Sequence, residues 1–204
     1  MRKPVIGVTG PVASGKTTVA RAIAGRRGAL IDCDELAHGA LEDPSVRRRL
    51  AAAFGPGILM PSGRVSRKRL RRAAFADGRS LELLNRIVSP RVRAIIEAAV
   101  AREMRRAGYI VLDAVLLFRY KFKFEIDFAV AARAPAGKRL ERIMKRDGVS
   151  RAEARRIMER QRGLGRDWKR ADAVIDTGAP LADVRREARR LREVIIATCC
   201  GARR

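Results

Sequence analysis

The chain reads as short apolar runs alternating with amphipathic segments. Pro4-Val5-Ile6-Gly7-Val8-Thr9 is apolar and β-prone, the reading of a buried strand. From Thr17 to Arg27 the period lengthens, and Val19, Ile23 and the neighbouring alanines fall on one side of a helix. A second strand is expected over Gly28–Asp34, then a short helix through Glu35-Leu36-Ala37-His38. Asp43 to Arg106 is helical in pattern. One helix runs Ser45–Phe54 and stops at Gly55-Pro56-Gly57, and Pro61-Ser62-Gly63 makes a turn. Another helix spans Ser66–Ala76, and a longer one from Ser80 is interrupted at Ser89-Pro90. Strands return at Tyr109–Asp113, Phe128–Ala132 and Ala171–Asp176. Between the last two lie a helix over Gly137–Arg146 and a second helix, to Arg162, opened by the capping box Ser150-x-x-Glu153. In the final helix, Leu181, Val184, Ala188, Leu191 and Ile195 give one apolar face, with arginines outside.

Strands alternating with helices predict an α/β fold with a five-stranded parallel sheet. The chain has 204 residues, enough for one domain with a substantial core. Its expected parts are a core over about 4–42, 107–135 and 171–198, a helical insertion over about 43–106, and a lid over about 136–170. No apolar run reaches the roughly 18 residues of a membrane span, and Met1-Arg2-Lys3-Pro4 leads straight into the first strand. Three cysteines, two of them adjacent, form no disulfide framework or zinc spacing. A cytoplasmic monomer or weak oligomer is expected.

Charge alters the picture. Forty-six Lys and Arg against 22 Asp and Glu leave +24. That excess favours polyanionic partners, nucleic acid among them, but aromatics are only 4 %, which argues against a base-stacking surface.

The chemistry concentrates after the first strand. Gly10-Pro11-Val12-Ala13-Ser14-Gly15-Lys16-Thr17 fits G-x-x-x-x-G-K-[ST]. A loop that wraps a triphosphate must turn backbone N–H groups inward, and only glycine tolerates the closest approach. On this pattern Pro11, Val12, Ala13, Ser14, Gly15, Lys16, Thr17 and Thr18 bind ATP. Lys16 is a point charge for the β- and γ-phosphates, and the Thr17 hydroxyl is a ligand for Mg²⁺. Asp32 and Asp34 end the second strand and, alternating with Cys33, point to one side of an extended chain. One reading makes them a general base and an outer ligand of Mg²⁺, and the other makes Asp34 an N-cap. Asp113, closing four apolar residues, reads either as a Walker-B-like carboxylate or as a turn cap. His38, the only histidine, is expected on a helix surface without a catalytic role. Arg139, Arg142 and Arg146 share one helix face, and Arg151, Arg155 and Arg162 another, as a lid over a triphosphate would need. Phe118 to Phe124 alternates aromatic and basic residues, either as a nucleic-acid contact or as an exposed loop.

The phosphate loop within Thr9–Thr17, the "IDxDELAH" of Ile31–His38 and "FGPGIL…SGRVSRKRLRRAAFAD" of Phe54–Asp77 together resemble dephospho-CoA kinase. So do "LLNRIVSPRVRAII" of Leu83–Ile96, "KRDGVS" of Lys145–Ser150 and the strand Ala171–Gly178. The resemblance spans roughly residues 4 to 196. It implies a P-loop kinase fold and transfer of the ATP γ-phosphate to the 3′-hydroxyl of dephospho-CoA, with Mg²⁺. It also implies that Asp34 is the base and Arg146 the lid arginine near the phosphates. The chain departs from the family pattern at Ser89, where His is usual, and at Arg119, where Glu is usual. It departs again at Val115, where Pro is usual, and at Thr177-Gly178, which shortens a loop that flanks adenine.

Overall fold

A computed structural model describes residues 3–160 and 167–201 of the chain. It divides into two compact units, one made of the described residues up to Asp32 and from Val100 onward, the other of Cys33–Ala99.

The first unit is built on five parallel strands: β1 Val5–Thr9, β2 Gly28–Asp32, β3 Tyr109–Asp113, β4 Phe128–Arg133 and β5 Ala173–Asp176. Their order is β2-β3-β1-β4-β5. All five residues of β1 and of β3 are buried, as their unbroken apolar runs require of central parallel strands. Strand period two sends Ile6 and Val8 to one face, where they meet Val19, Ala20 and Ile23 of α1 (Lys16–Ala24). Val184, Ala188 and Ile195 of α8 (Leu181–Gly201) close the same core. Removing a side chain such as the wholly buried Ile23 would cost about 2–5 kcal/mol. On the other face Gly7 makes room for Leu117, whose Cδ2 lies 2.4 Å from where a Cβ on Gly7 would stand. Register brings chemistry together: Val8 pairs with Asp113 across β1 and β3, and Asp32 pairs with Asp113 across β2 and β3. Asp32, Asp113 and the loop after Thr9 therefore emerge at one end of the sheet, beyond its carboxyl edge.

The second unit is helical, with α2 Cys33–Gly39, α3 Pro44–Phe54, α4 Arg67–Ala74 and most of α5, which runs Gly78–Glu103. Its core is Val46, Leu50, Ile58, Val65, Leu70 and Ile87. Asp43 caps α3, accepting from the backbone N–H of Ser45 at 2.9 Å and of Val46 at 3.4 Å, with Pro44 at the first helical position. Ser66 caps α4 through the N–H of Arg69.

Four local expectations are corrected. The second strand ends at Asp32, where its ladder with β3 ends, and α2 begins at Cys33. Asp34 and Glu35 are acids in the first turn of that helix, where the dipole favours them. Asp34 is thus neither extended beside Asp32 nor the N-cap. Helix α1 stops at Ala24, because Gly25 takes φ 52° and turns the chain. Helix α5 continues through Pro90, with buried Ile87 before it and Val92 and Ile96 after, so packing outweighs the one lost backbone hydrogen bond. Leu181, expected on the apolar face of α8, is 51 % exposed at its first position. No helix among the described residues is long and apolar enough to cross a membrane.

Candidate active site

The loop between β1 and α1 is shaped by three residues with positive φ: Gly10 at 153°, Ala13 at 58° and Gly15 at 84°. A Cβ on Gly10 would lie 2.4 Å from the Ala132 carbonyl oxygen and 2.5 Å from Ser14 Oγ, so only glycine fits. Three carbonyls of this loop are turned outward and taken. Arg139 Nε donates to Val12 O at 2.9 Å, an Arg142 Nη donates to Ala13 O at 3.2 Å, and the Thr177 hydroxyl donates to Ser14 O. Because each peptide unit is planar and trans, the N–H groups of Ala13 and Gly15 point the opposite way, to the concave side. The N–H of Ser14 closes a turn on Pro11 O at 3.1 Å. Gly15 then opens α1 with no side-chain cap and no acid in its first turn. An uncapped helix end behind inward N–H groups is an anion cradle. Pro11, Val12, Ala13, Ser14, Gly15, Lys16, Thr17 and Thr18 all lie on this loop or the first turn of α1. The Ser14 hydroxyl is buried with no partner among the described residues.

At the rim of the cradle Asp113, only 1 % exposed, holds both reactive side chains of the motif. Lys16 Nζ lies 2.9 Å from its Oδ1, and the Thr17 hydroxyl donates to Oδ2 at 2.7 Å. A turn cap would spend the carboxylate on backbone N–H groups, whereas here both its oxygens are taken by the Lys16 and Thr17 side chains. A hydroxyl and a carboxylate oxygen 2.7 Å apart are hard donors of the kind Mg²⁺ prefers. No group of three or more His, Cys, Asp or Glu side chains placed to hold a metal ion exists among the described residues. Mg²⁺ would thus need phosphate oxygens and water besides Thr17 and Asp113, which is how it usually binds nucleotides. Asp32 is the register neighbour of Asp113 and is half-buried.

The expected lid is a helical hairpin, α6 Ala136–Asp147 and α7 Arg151–Arg160, turned at Gly148 with φ 64°. Its core is Leu140, Ile143 and Ala154, and Val12 and Ala13 of the phosphate loop pack against it. The capping box is formed: Ser150 donates through its N–H and hydroxyl to Glu153 Oε2 at 3.0 and 2.8 Å, and its Oγ accepts from the Glu153 N–H at 3.3 Å. Of the three arginines on α6, two reach the loop. Arg142 also bonds the Thr177 carbonyl at 2.6 Å, and burial lowers the pKa of Arg139 below its ordinary value. Arg146 does not reach the loop. It makes a bidentate bond to Asp147 at 2.7 and 2.9 Å and its side chain is 60 % exposed. This bond raises the pKa of Arg146 and lowers that of Asp147. Arg151 and Arg155 are exposed on α7, and Arg162 lies outside the described residues.

Asp34 belongs to the helical unit, half-buried in the first turn of α2, and His38 is exposed on the same helix. Ser89 is half-buried within α5 and Arg119 is exposed beyond β3. Sequence patterning missed Thr177 as a structural part of the site. This residue is 3 % exposed, donates its backbone N–H to the Arg133 carbonyl of β4, and ties β5 to the phosphate loop. Its placement one residue past a strand-end acid was the available signal, since loops there line the ligand edge of such sheets.

The family model described as Dephospho-CoA kinase matches residues 4–183. A dephospho-CoA kinase of Moorella thermoacetica is 37 % identical, over 91 % of this chain and 89 % of that one. One from Arabidopsis thaliana is 32 % identical, over 90 % of this chain and 80 % of its own length. Among solved structures, that of TT1252 from Thermus thermophilus superposes with a TM-score of 0.77 at 30 % identity, covering 96 % of this chain and 97 % of that one.

Proposed function

The chain belongs to the dephospho-CoA kinase family, and from that premise we propose how its residues carry out the reaction. It transfers the γ-phosphate of ATP to the 3′-hydroxyl of dephospho-CoA, giving coenzyme A and ADP. Another acceptor, or a basic nucleic-acid-binding role for the loop, is not favoured, because the family match runs through the core and both helical insertions.

Phosphoryl transfer asks a protein for positioning and charge stabilisation more than for covalent chemistry. The N–H groups of Ala13 and Gly15 and the uncapped start of α1 hold the triphosphate. Lys16 leaves Asp113 for the β- and γ-phosphates, a small movement because its ammonium already stands at the rim. Thr17 and Asp113, with Asp32 as an outer ligand, would hold Mg²⁺, which would supply neutralisation of the phosphate charge. Asp34 orients the acceptor hydroxyl and takes its proton. Residues 43–106 hold the acceptor and residues 136–170 act as the lid. Arg146 exchanges Asp147 for the transferring phosphoryl oxygens when the lid closes, and closure excludes the water that would hydrolyse ATP. We place the enzyme in the cytoplasm as a monomer or weak oligomer.

The observation that carries this reading is the pairing of one buried carboxylate, Asp113, with both Lys16 and Thr17. A coupled ADP-release assay tests the acceptor, with dephospho-CoA run against AMP, CMP and shikimate. Turnover with dephospho-CoA alone is expected; preference for any of the other three would overturn the reading.

A further inference from the structure

At the end of α1 away from the phosphate loop, α1 and α8 enclose a hollow of about 520 Å³. Five arginines surround it: Arg21 from the last turn of α1, Arg26 from the turn that follows, and Arg185, Arg189 and Arg192 from α8. The floor is Ala22 and Gly25. The spacing 185, 189, 192 places the three α8 residues on one helix face, turned toward α1. Gly15, at the end of the phosphate loop, and Arg21, at the hollow, stand six residues apart, about 9 Å along the helix.

Two features mark the hollow as built rather than as a solvated basic face. Arg192 is fixed in place. Its side chain is only 22 % exposed and lies near Tyr109, whose hydroxyl donates to the Ile23 and Ala24 carbonyls at 2.9 and 2.8 Å. One of its Nη atoms fills the space beside Gly25, 2.5 Å from where a Cβ would stand. The charges are also uncompensated. Arg192 reaches Glu193 at 3.4 Å, but Arg21, Arg26, Arg185 and Arg189 have no carboxylate partner among the described residues. Arg189 turns instead to the carbonyl of Arg185 at 3.1 Å. The carbonyl end of α1 offsets part of this charge, but a helix terminus carries only about half an elementary charge.

We propose that this hollow is a second anion site, distinct from the phosphate loop, that binds a compact ligand rich in phosphoryl groups. Guanidinium forks match phosphate oxygens two at a time and favour phosphate over simple halide-like anions. No aromatic side chain lines the hollow, so it offers no stacking platform for a base. Its volume suits a small molecule, such as an oligophosphate, better than the backbone of an extended polymer.

Calorimetric titration of the full chain with inorganic tripolyphosphate tests the site, with saturating Mg·ADP present to occupy the phosphate loop. One equivalent should bind, with affinity falling as salt rises. The exposed pair Arg185→Gln/Arg189→Gln should weaken binding at least about tenfold, as loss of charge-assisted hydrogen bonds predicts. It should keep the wild-type circular dichroism and a kcat within about twofold. Arg185→Lys/Arg189→Lys, which keeps the charge, should recover part of the affinity. Absence of binding under Mg·ADP, or binding unchanged in the glutamine pair, would overturn the proposal. So would a single-stranded oligonucleotide whose binding the pair abolishes while tripolyphosphate binding stays intact, since that marks a nucleic-acid footprint instead.

Discussion

Thr177→Val removes one hydroxyl from a buried junction and changes little else. The hydroxyl donates to Ser14 O and stands 3.0 Å from Arg133 O, and an Arg142 Nη lies 3.5 Å away. Valine keeps the volume and the methyl that packs beside Gly15, so the loss is confined to hydrogen bonding. Leaving a buried carbonyl unsatisfied costs about 1–3 kcal/mol. If about half of this appears as stability, then at about 2–4 °C per kcal/mol for a chain of this size Tm should fall by about 1–6 °C. The rest appears in nucleotide binding. The freed Ser14 carbonyl can turn toward the concave side and repel phosphate, so the KM for ATP should rise about 2- to 13-fold, with the acceptor KM little changed. Differential scanning fluorimetry and ADP-release kinetics read the two parts. Thr177→Ser, which restores the hydroxyl, should return most of both. If Thr177→Val left Tm and the ATP KM unchanged, the hydroxyl would not be what holds the loop. If serine were as damaging as valine, the methyl contact would be the cause instead.

Further predictions concern the chemistry. Lys16→Ala should abolish transfer while unfolding as cooperatively as the wild type, because its ammonium points to the nucleotide rim rather than the core; undiminished turnover would end the phosphate-loop reading. Asp34→Asn should lower kcat by at least about 100-fold with little change in ATP affinity, as for loss of a general base. A larger loss from Asp32→Asn would reverse the assignment within the pair. Arg146→Ala should depress kcat and Arg156→Ala should be nearly silent, measured by the same assay; equal small losses would remove Arg146 from the transfer step. Glu153 is held below the ordinary glutamate value of 4.5, first by the Ser150 hydroxyl and then by its N–H. The folded pKa is the lower one, so the capping box stabilises in full above the unfolded value and its contribution is lost as pH falls through the folded value. The Tm gap between wild type and Glu153→Gln, read by circular dichroism, should therefore close as pH is lowered from 7 to 3; a constant gap would refute the linkage.

The phosphate loop was legible because its determinants are local. Gly10 and Gly15 are needed for backbone conformation and close approach, and Lys16 and Thr17 follow on the helix they open. Asp113 was legible as a strand-end acid but not as a particular partner, since its bonds to Lys16 and Thr17 cross nearly a hundred residues of sequence. The sheet followed from its apolar runs, whereas the ends of elements did not. Cys33-Asp34-Glu35 carries no glycine or proline to mark where β2 stops, and the end of pairing with β3 is a tertiary fact. Pro90 misled for the converse reason: a strong local breaker gave way to packing on both sides of it. Arg139 and Arg142 looked like lid residues equivalent to Arg146. Their hold on the carbonyls of Val12 and Ala13 depends on how the α6–α7 hairpin packs against the loop, which helical periodicity does not encode.

The most direct test of the central claim follows a labelled γ-phosphate from ATP to its destination. With dephospho-CoA and Mg²⁺ present, the label should appear in coenzyme A and be released by a 3′-nucleotidase, and Lys16→Ala should show neither label transfer nor ADP. Label accumulating as inorganic phosphate at the same rate with and without dephospho-CoA would contradict it.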